Sequence, residues 1–203
     1  ALKLILLLPL FFLMACSVAY DQVKEIDIKN PKNFQEHLLY NYKNNASFEA
    51  EKMHDWNSAK LYSEKALRAF SGENIYPEKI TYWKISTEIA KDIRASYNNL
   101  LSIYDEAIIK DPKSLAKAIS SLDCWAEQEE EKWQTWDIDK CKNDFHESMH
   151  DIYNLLTEEE RKDVAKVTEQ EVGEDDTPQV VIVTENEKKE VMQIIYFDFD
   201  NSK

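Results

Sequence analysis

Apolar and aromatic residues at Tyr82, Ile85, Ile89, Ile93, Tyr97, Leu100, Tyr104 and Ile108 recur at steps of three and four. That spacing draws one stripe along one face of an α-helix and leaves the other faces polar. The same period runs through nearly all of residues 31–157. Asp111-Pro112 stops the stripe and starts another, carried by Leu115, Ala118, Ile119, Leu122 and Trp125. Asp137 is placed to cap a further helix bearing Ile138, Cys141, Phe145, Met149, Ile152 and Leu156. Earlier, Phe34, Leu38, Tyr42, Ala46 and Phe48 to Ala50 read as one helix, starting with Asn30 as N-cap and Pro31 at the first helical position. Trp56 to Phe70 reads as a second helix. Each of these helices is amphipathic and needs neighbours to bury its stripe. The fold class expected is therefore mainly α, an irregular bundle.

Composition narrows the function. The 203 residues carry 39 acids against 25 Lys and Arg, a net charge of −14. Such a chain repels phosphate backbones and anionic lipid head groups, which argues against nucleic acid as a partner. Only two glycines occur, Gly72 and Gly173. Dinucleotide and P-loop phosphate cradles need several in one turn, so no nucleotide cofactor is implied.

At the amino end Lys3 precedes an apolar run, Leu4 to Ala15, and then Cys16. The run is too short for a membrane span, which needs about 20 residues. It has the form of a signal-peptide core. Leu13-Met14-Ala15-Cys16 resembles the lipobox of bacterial lipoproteins. That resemblance implies cleavage before Cys16, lipid on its sulfur, and an anchor of about three acyl chains, where a single chain holds only weakly. Ser17 at the next position resembles an outer-membrane sorting signal. Residues 1–15 are expected to be the signal peptide and 16–30 a polar, lipidated tether.

Two cysteines remain, Cys124 and Cys141. The stretch Asp123-Cys124-Trp125-Ala126-Glu127-Gln128-Glu129-Glu130-Glu131-Lys132-Trp133, followed by Asp137-Ile138 and Cys141, is similar to helical segments that precede OmpA-like domains in some bacterial envelope proteins. Two helices joined by a short turn would bring the cysteines together. A compartment beyond a signal peptide permits the bond, and closing a loop of about 17 residues contributes roughly 3 kcal/mol. Two buried free thiols are the alternative.

Asp55 to Leu67 resembles half of a tetratricopeptide repeat, with Trp56 at the turn and Ala59 and Ala66 as small packing residues. No second copy is visible, and such arrays need about three. The expectation is one repeat-like hairpin within the bundle.

Residues 158–190 hold twelve acids and five bases, half the net charge of the chain. Thr157-Glu158-Glu159-Glu160 has the form of a capping box, so a helix is expected to about Val167. Gly173 to Pro178 then reads as linker within an acidic spacer. In residues 191–203, Ile195, Phe197 and Phe199 alternate with Tyr196, Asp198 and Asp200, the pattern of a half-buried strand. Tyr196-Phe197-Asp198-Phe199-Asp200 with Ser202 resembles the opening strand of the OmpA-like peptidoglycan-binding domain. That family domain is α/β and holds the diaminopimelate of the wall peptide with an Asp and an Arg from later helices. The rest of such a domain is expected beyond Lys203, so no wall-binding residue is assigned.

His146-Glu147-Ser148-Met149-His150 matches HExxH, in which two histidines one turn apart hold zinc and the glutamate activates water. Here the histidines sit about 100–140° from the Phe145-Met149-Ile152 stripe. Asp144, Ser148 and Asp151 make the surroundings polar. A solvated helix face is the expectation, with no catalytic or metal-binding residue assigned and a zinc hydrolase as the remote alternative. The sequence reads as a non-catalytic outer-membrane lipoprotein facing the periplasm, linking that membrane to peptidoglycan. The alternative is a helical adaptor that binds an envelope protein.

Overall fold

The computed structural model describes residues 18–132 and 135–171, the last of these as helical backbone alone at 160 and 163–171. These form six α-helices with a π turn and a 3-10 turn, and no strand among the described residues. Helix α1 spans 18–25. Helix α2 is Phe34–Phe48 and runs into the π turn Glu49–Met53. Helix α3 is Trp56–Phe70, and the 3-10 turn Ile80–Tyr82 follows. Helices α4, Thr87–Lys110, and α5, Pro112–Glu131, meet at Asp111. Helix α6 is Thr135–Glu171. The chain divides into two units at Lys162 and Asp163. The first is a mainly helical bundle. No helix among the described residues is long and apolar enough to cross a membrane.

The expected stripes form the core. Leu38, Tyr42 and Ala46 of α2, Ala59, Tyr62 and Ala66 of α3, Ile93 and Leu100 of α4, and Leu115, Ile119 and Leu122 of α5 are buried. Phe145, Met149, Ile152 and Leu156 of α6 join them. Small residues set the close approach of α3 to α2, since Ala59 and Ala66 have no accessible surface. Asp111 ends α4 and caps α5 by accepting from Ser114 N at 3.0 Å, with Pro112 in the first helical turn, as the sequence indicates.

The boundaries of several elements differ from the sequence expectation, each for a visible reason. Residues 18–25 are helical rather than a loose tether, and Tyr20 and Val23 are buried. Tyr20 donates to Glu51 Oε1 at 2.8 Å and meets Trp56 edge-on, which docks α1 on the π turn and α3. Helix α2 starts after Asn33, not Asn30. Asn33 Oδ1 accepts from Glu36 N at 2.9 Å while Glu36 Oε2 accepts from Lys32 N at 2.7 Å, a reciprocal cap that Pro31 cannot match. Tyr82 and Ile85 share the apolar period of α4 but precede it, because Ser86 caps the helix. Asp137 lies inside the first turn of α6 rather than at its cap. Thr157 is interior to α6, where its hydroxyl donates back to Tyr153 O, so no new helix starts there.

Candidate functional site

Two polar clusters lie inside the bundle. The first is fully satisfied. Lys65 of α3 and Asp123 of α5 are 2% and 1% exposed and form an ion pair at 2.5 Å. Asp123 also accepts from Tyr42 of α2 and from the backbone N–H of Glu78, each at 2.7 Å. Lys65 donates to Tyr76 O at 3.0 Å and pairs with Glu78 at 3.1 Å. Every strong donor and acceptor has a partner, which is what makes a buried charge pair tolerable. This cluster joins α2, α3, α5 and the segment after α3, and it is structural.

The second cluster is not satisfied. Glu49, Glu127 and Glu131 each place a carboxylate oxygen within 4.8 Å of the others. Glu49 and Glu127 are both 2% exposed. Local structure explains the convergence. Glu49 lies three residues after Ala46, so it extends the buried stripe of α2 into the π turn. His54, in the left-handed region at φ 58°, closes that turn and releases the chain into α3. Glu127 and Glu131 are one turn apart at the end of α5, four and eight residues beyond Asp123. Lys132, also at φ 58°, ends that helix. Asp55 caps α3 beside them, accepting from Asn57 N at 2.7 Å and Ser58 N at 3.2 Å.

Five buried side-chain atoms among the described residues lack a hydrogen-bond partner: Glu49 Oε2, Glu127 Oε1, Gln128 Oε1, Tyr62 OH and Asp137 Oδ2. Three of the five belong to Glu49, Glu127 and the adjoining Gln128. Gln128 Nε2 donates to Glu127 Oε2 at 2.7 Å, which leaves the amide oxygen over. Tyr62 feels the charges of Glu127 and Glu49, and Glu49 feels that of Asp137. No Lys, Arg or His among the described residues forms an ion pair with any of the three glutamates. Burial first, and then the charges of Glu127, Glu131, Asp55 and Asp137, push Glu49 up to about 9. Burial raises Glu127 to about 7 against the hydrogen bond from Gln128 and the nearby Ser58 hydroxyl. Burial, a hydrogen bond to Asp55 and the Glu127 charge raise Glu131 to about 8. A groove bordered by Asp55, Tyr82, Trp83 and Glu130 reaches Glu127 and Glu131 from solvent. Three hard oxygen donors, an entry path and unused acceptors make this, among the described residues, the place best suited to a cation.

The residues singled out in the sequence fall elsewhere. Cys124 and Cys141 stand at disulfide distance, with Cα atoms 5.6 Å apart, and join α5 to α6. His146 is half-buried and packs on Trp125 and Phe145, with ring centroids at 5.9 and 5.4 Å. Glu147 and His150 are exposed. Among the described residues no group of metal-ligating side chains includes His146 or His150. Cys16 and the strand signature Tyr196 to Asp200 lie outside the described residues. Sequence reasoning did not reach Glu49, Glu127 or Glu131. The available signal was an acid placed on the buried stripe of its helix, twice over. Compared with known protein families, curated proteins and solved structures, the chain matches none.

Proposed function

We propose that this chain belongs to a non-catalytic outer-membrane lipoprotein that links that membrane to peptidoglycan. The order of its segments carries the reading: a lipobox-like Leu13-Met14-Ala15-Cys16, then a helical bundle, an acidic spacer and a strand signature of the wall-binding domain. The disulfide distance between Cys124 and Cys141 supports it, because such bonds persist in an oxidising envelope compartment and are rare in a cytosol. Two attachments are implied, acyl chains on Cys16 at one end and the wall-binding domain at the other. The bundle between them would set their separation.

Metabolic labelling with a fatty-acid probe tests the anchor: label on the parent and none on Cys16→Ala is expected, and label retained by the variant refutes it. Deleting the chain after about residue 190 tests the tether. Envelope defects equal to those of the full deletion are expected.

A second reading makes the bundle an adaptor for an envelope protein, with the tail serving only to localise it. The exposure of Phe70 at 63%, together with exposed Trp56 and Trp136, favours it. Phe70 and Trp56 lie at the two ends of α3, the helix that resembles part of a tetratricopeptide repeat, a type of unit that docks proteins. Full rescue by the chain lacking its tail would place the adaptor reading first.

A further inference from the structure

We propose that Glu49, Glu127 and Glu131 bind one divalent cation, Ca2+ in preference to Mg2+ or Zn2+, at the end of the bundle where α2, α3, α5 and α6 meet. Three observations converge. The carboxylate oxygens lie within 4.8 Å of one another. Bonds to Ca2+ of about 2.3–2.6 Å place opposite ligands roughly 4.6–5.2 Å apart, so the set fits in one coordination sphere. Glu49 Oε2 and Glu127 Oε1 are buried and accept no hydrogen bond. A buried carboxylate oxygen without a partner carries a desolvation cost that a cation removes.

The third observation does not involve acids. The amide oxygen of Gln128, a residue 1% exposed, and the hydroxyl of fully buried Tyr62 are also unpartnered. Gln128 is held against Glu127 through its own Nε2, so its oxygen is a neutral ligand or an acceptor for a metal-bound water. The two residues thus provide acceptor capacity that the protein itself leaves unused. Lys65 neutralises the buried acid Asp123, but among the described residues no Lys or Arg pairs with these glutamates.

The donor set selects the metal. All donors are oxygens and three are carboxylates. Zn2+ sites characteristically include Cys or His beside any carboxylate, and neither is present in the set. Mg2+ demands a near-ideal octahedron with bonds of about 2.0–2.1 Å, and gives up water reluctantly. Ca2+ accepts irregular geometry with six to eight ligands, and the groove at Glu127 and Glu131 supplies the waters. The glutamates come from positions 49, 127 and 131, so a bound ion would cross-link the π turn to the end of α5. The proposal does not depend on the tether reading.

Isothermal titration of the full chain with Ca2+, Mg2+ and Zn2+, paired with thermal melts, tests it. One Ca2+ per chain, saturating below about 1 mM and accompanied by a higher Tm, is expected. Glu127→Gln and Glu49→Gln should each weaken Ca2+ at least tenfold and abolish the Tm rise. Both should keep the far-UV dichroism of the parent, because a neutral amide relieves the repulsion between the acids. Glu131→Gln, at the half-buried edge, should weaken binding with the least effect on folding. Asp92→Asn, exposed on α4, should leave binding unchanged and so separates the site from the general attraction of an acidic surface. Heats that do not saturate, binding equal to the parent in the Glu49 and Glu127 variants, or tighter Mg2+ or Zn2+ than Ca2+ would overturn the proposal.

Discussion

Replacing Lys65 by Met leaves Asp123 as a buried carboxylate without its cation. Among the described residues no other Lys or Arg pairs with Asp123, so only the Tyr42 hydroxyl and the Glu78 N–H remain to it. Removing one partner of a buried ion pair costs about 3–5 kcal/mol. Domains of this size are stable by about 5–15 kcal/mol, so Lys65→Met should unfold a large fraction of the chain under mild denaturant. The reverse change is gentler. Asp123→Asn keeps Oδ1 as the acceptor for Glu78 N–H, its amide group replaces Oδ2 and can donate to the Tyr42 hydroxyl once that turns, and Lys65 still has Glu78 at 3.1 Å and Tyr76 O at 3.0 Å. Its cost should be about 1–3 kcal/mol, the range for a weakened buried hydrogen-bond network. Urea unfolding followed by tryptophan fluorescence and far-UV dichroism reads both, since Trp83 and Trp125 are buried. The m-value should hold constant. The reasoning fails if Lys65→Met costs less than about 1 kcal/mol, or if Asp123→Asn proves the more damaging change.

Other consequences follow from the same geometry. In metal-free protein burial holds the Glu127 carboxyl up at about 7, above the 4.5 of a solvated glutamate, so the folded state holds the extra proton. Its stabilisation is complete below about pH 4.5 and is lost as pH rises through about 7. The stability of the parent should therefore fall between about pH 5 and 8 relative to Glu127→Gln, and parallel profiles would contradict this. Reducing the Cys124–Cys141 bond, or replacing both residues by Ala, should cost about 3 kcal/mol for a loop of 17 residues. Peptide mapping without reductant checks the linkage, and two alkylatable thiols in native protein would rule it out. Ala66→Leu should destabilise by about 1–3 kcal/mol, because Ala66 is wholly buried where α3 lies against the core. A melt unchanged from the parent would show that the site has spare room.

How much of this was legible follows from where each signal resides in the chain. Helix α3 was readable to the residue because Asp55 caps it locally and its apolar stripe stops at Phe70. Helix α4 was readable in its body but not at its start. Tyr82 and Ile85 keep the period, and only the Ser86 side chain, accepting from Ile89 N at 3.5 Å, marks the boundary. Helix α1 was missed because its two buried residues, Tyr20 and Val23, are too few to set a period, and its order derives from docking on Trp56 and Glu51. The HExxH match was legible but local, and in the fold His146 lies against Trp125 while Glu147 and His150 are exposed.

The acidic site shows the opposite relation. Its members are separated by 78 and 4 positions in a chain of 39 acids, so a place on a buried stripe could single out Glu49 and Glu127 one by one but nothing in the spacing could bring them together. They become distinctive only when the helix ends converge and take them out of water. Charge is common in this sequence, but charge held in the core is not. Where the core accepted an acid at Asp123, it supplied Lys65, Tyr42 and the Glu78 N–H as partners. At Glu49 and Glu127 the same core supplies burial without a countercharge. Of the two buried acidic clusters, the unpaired one is therefore the one whose construction calls for something from outside the chain.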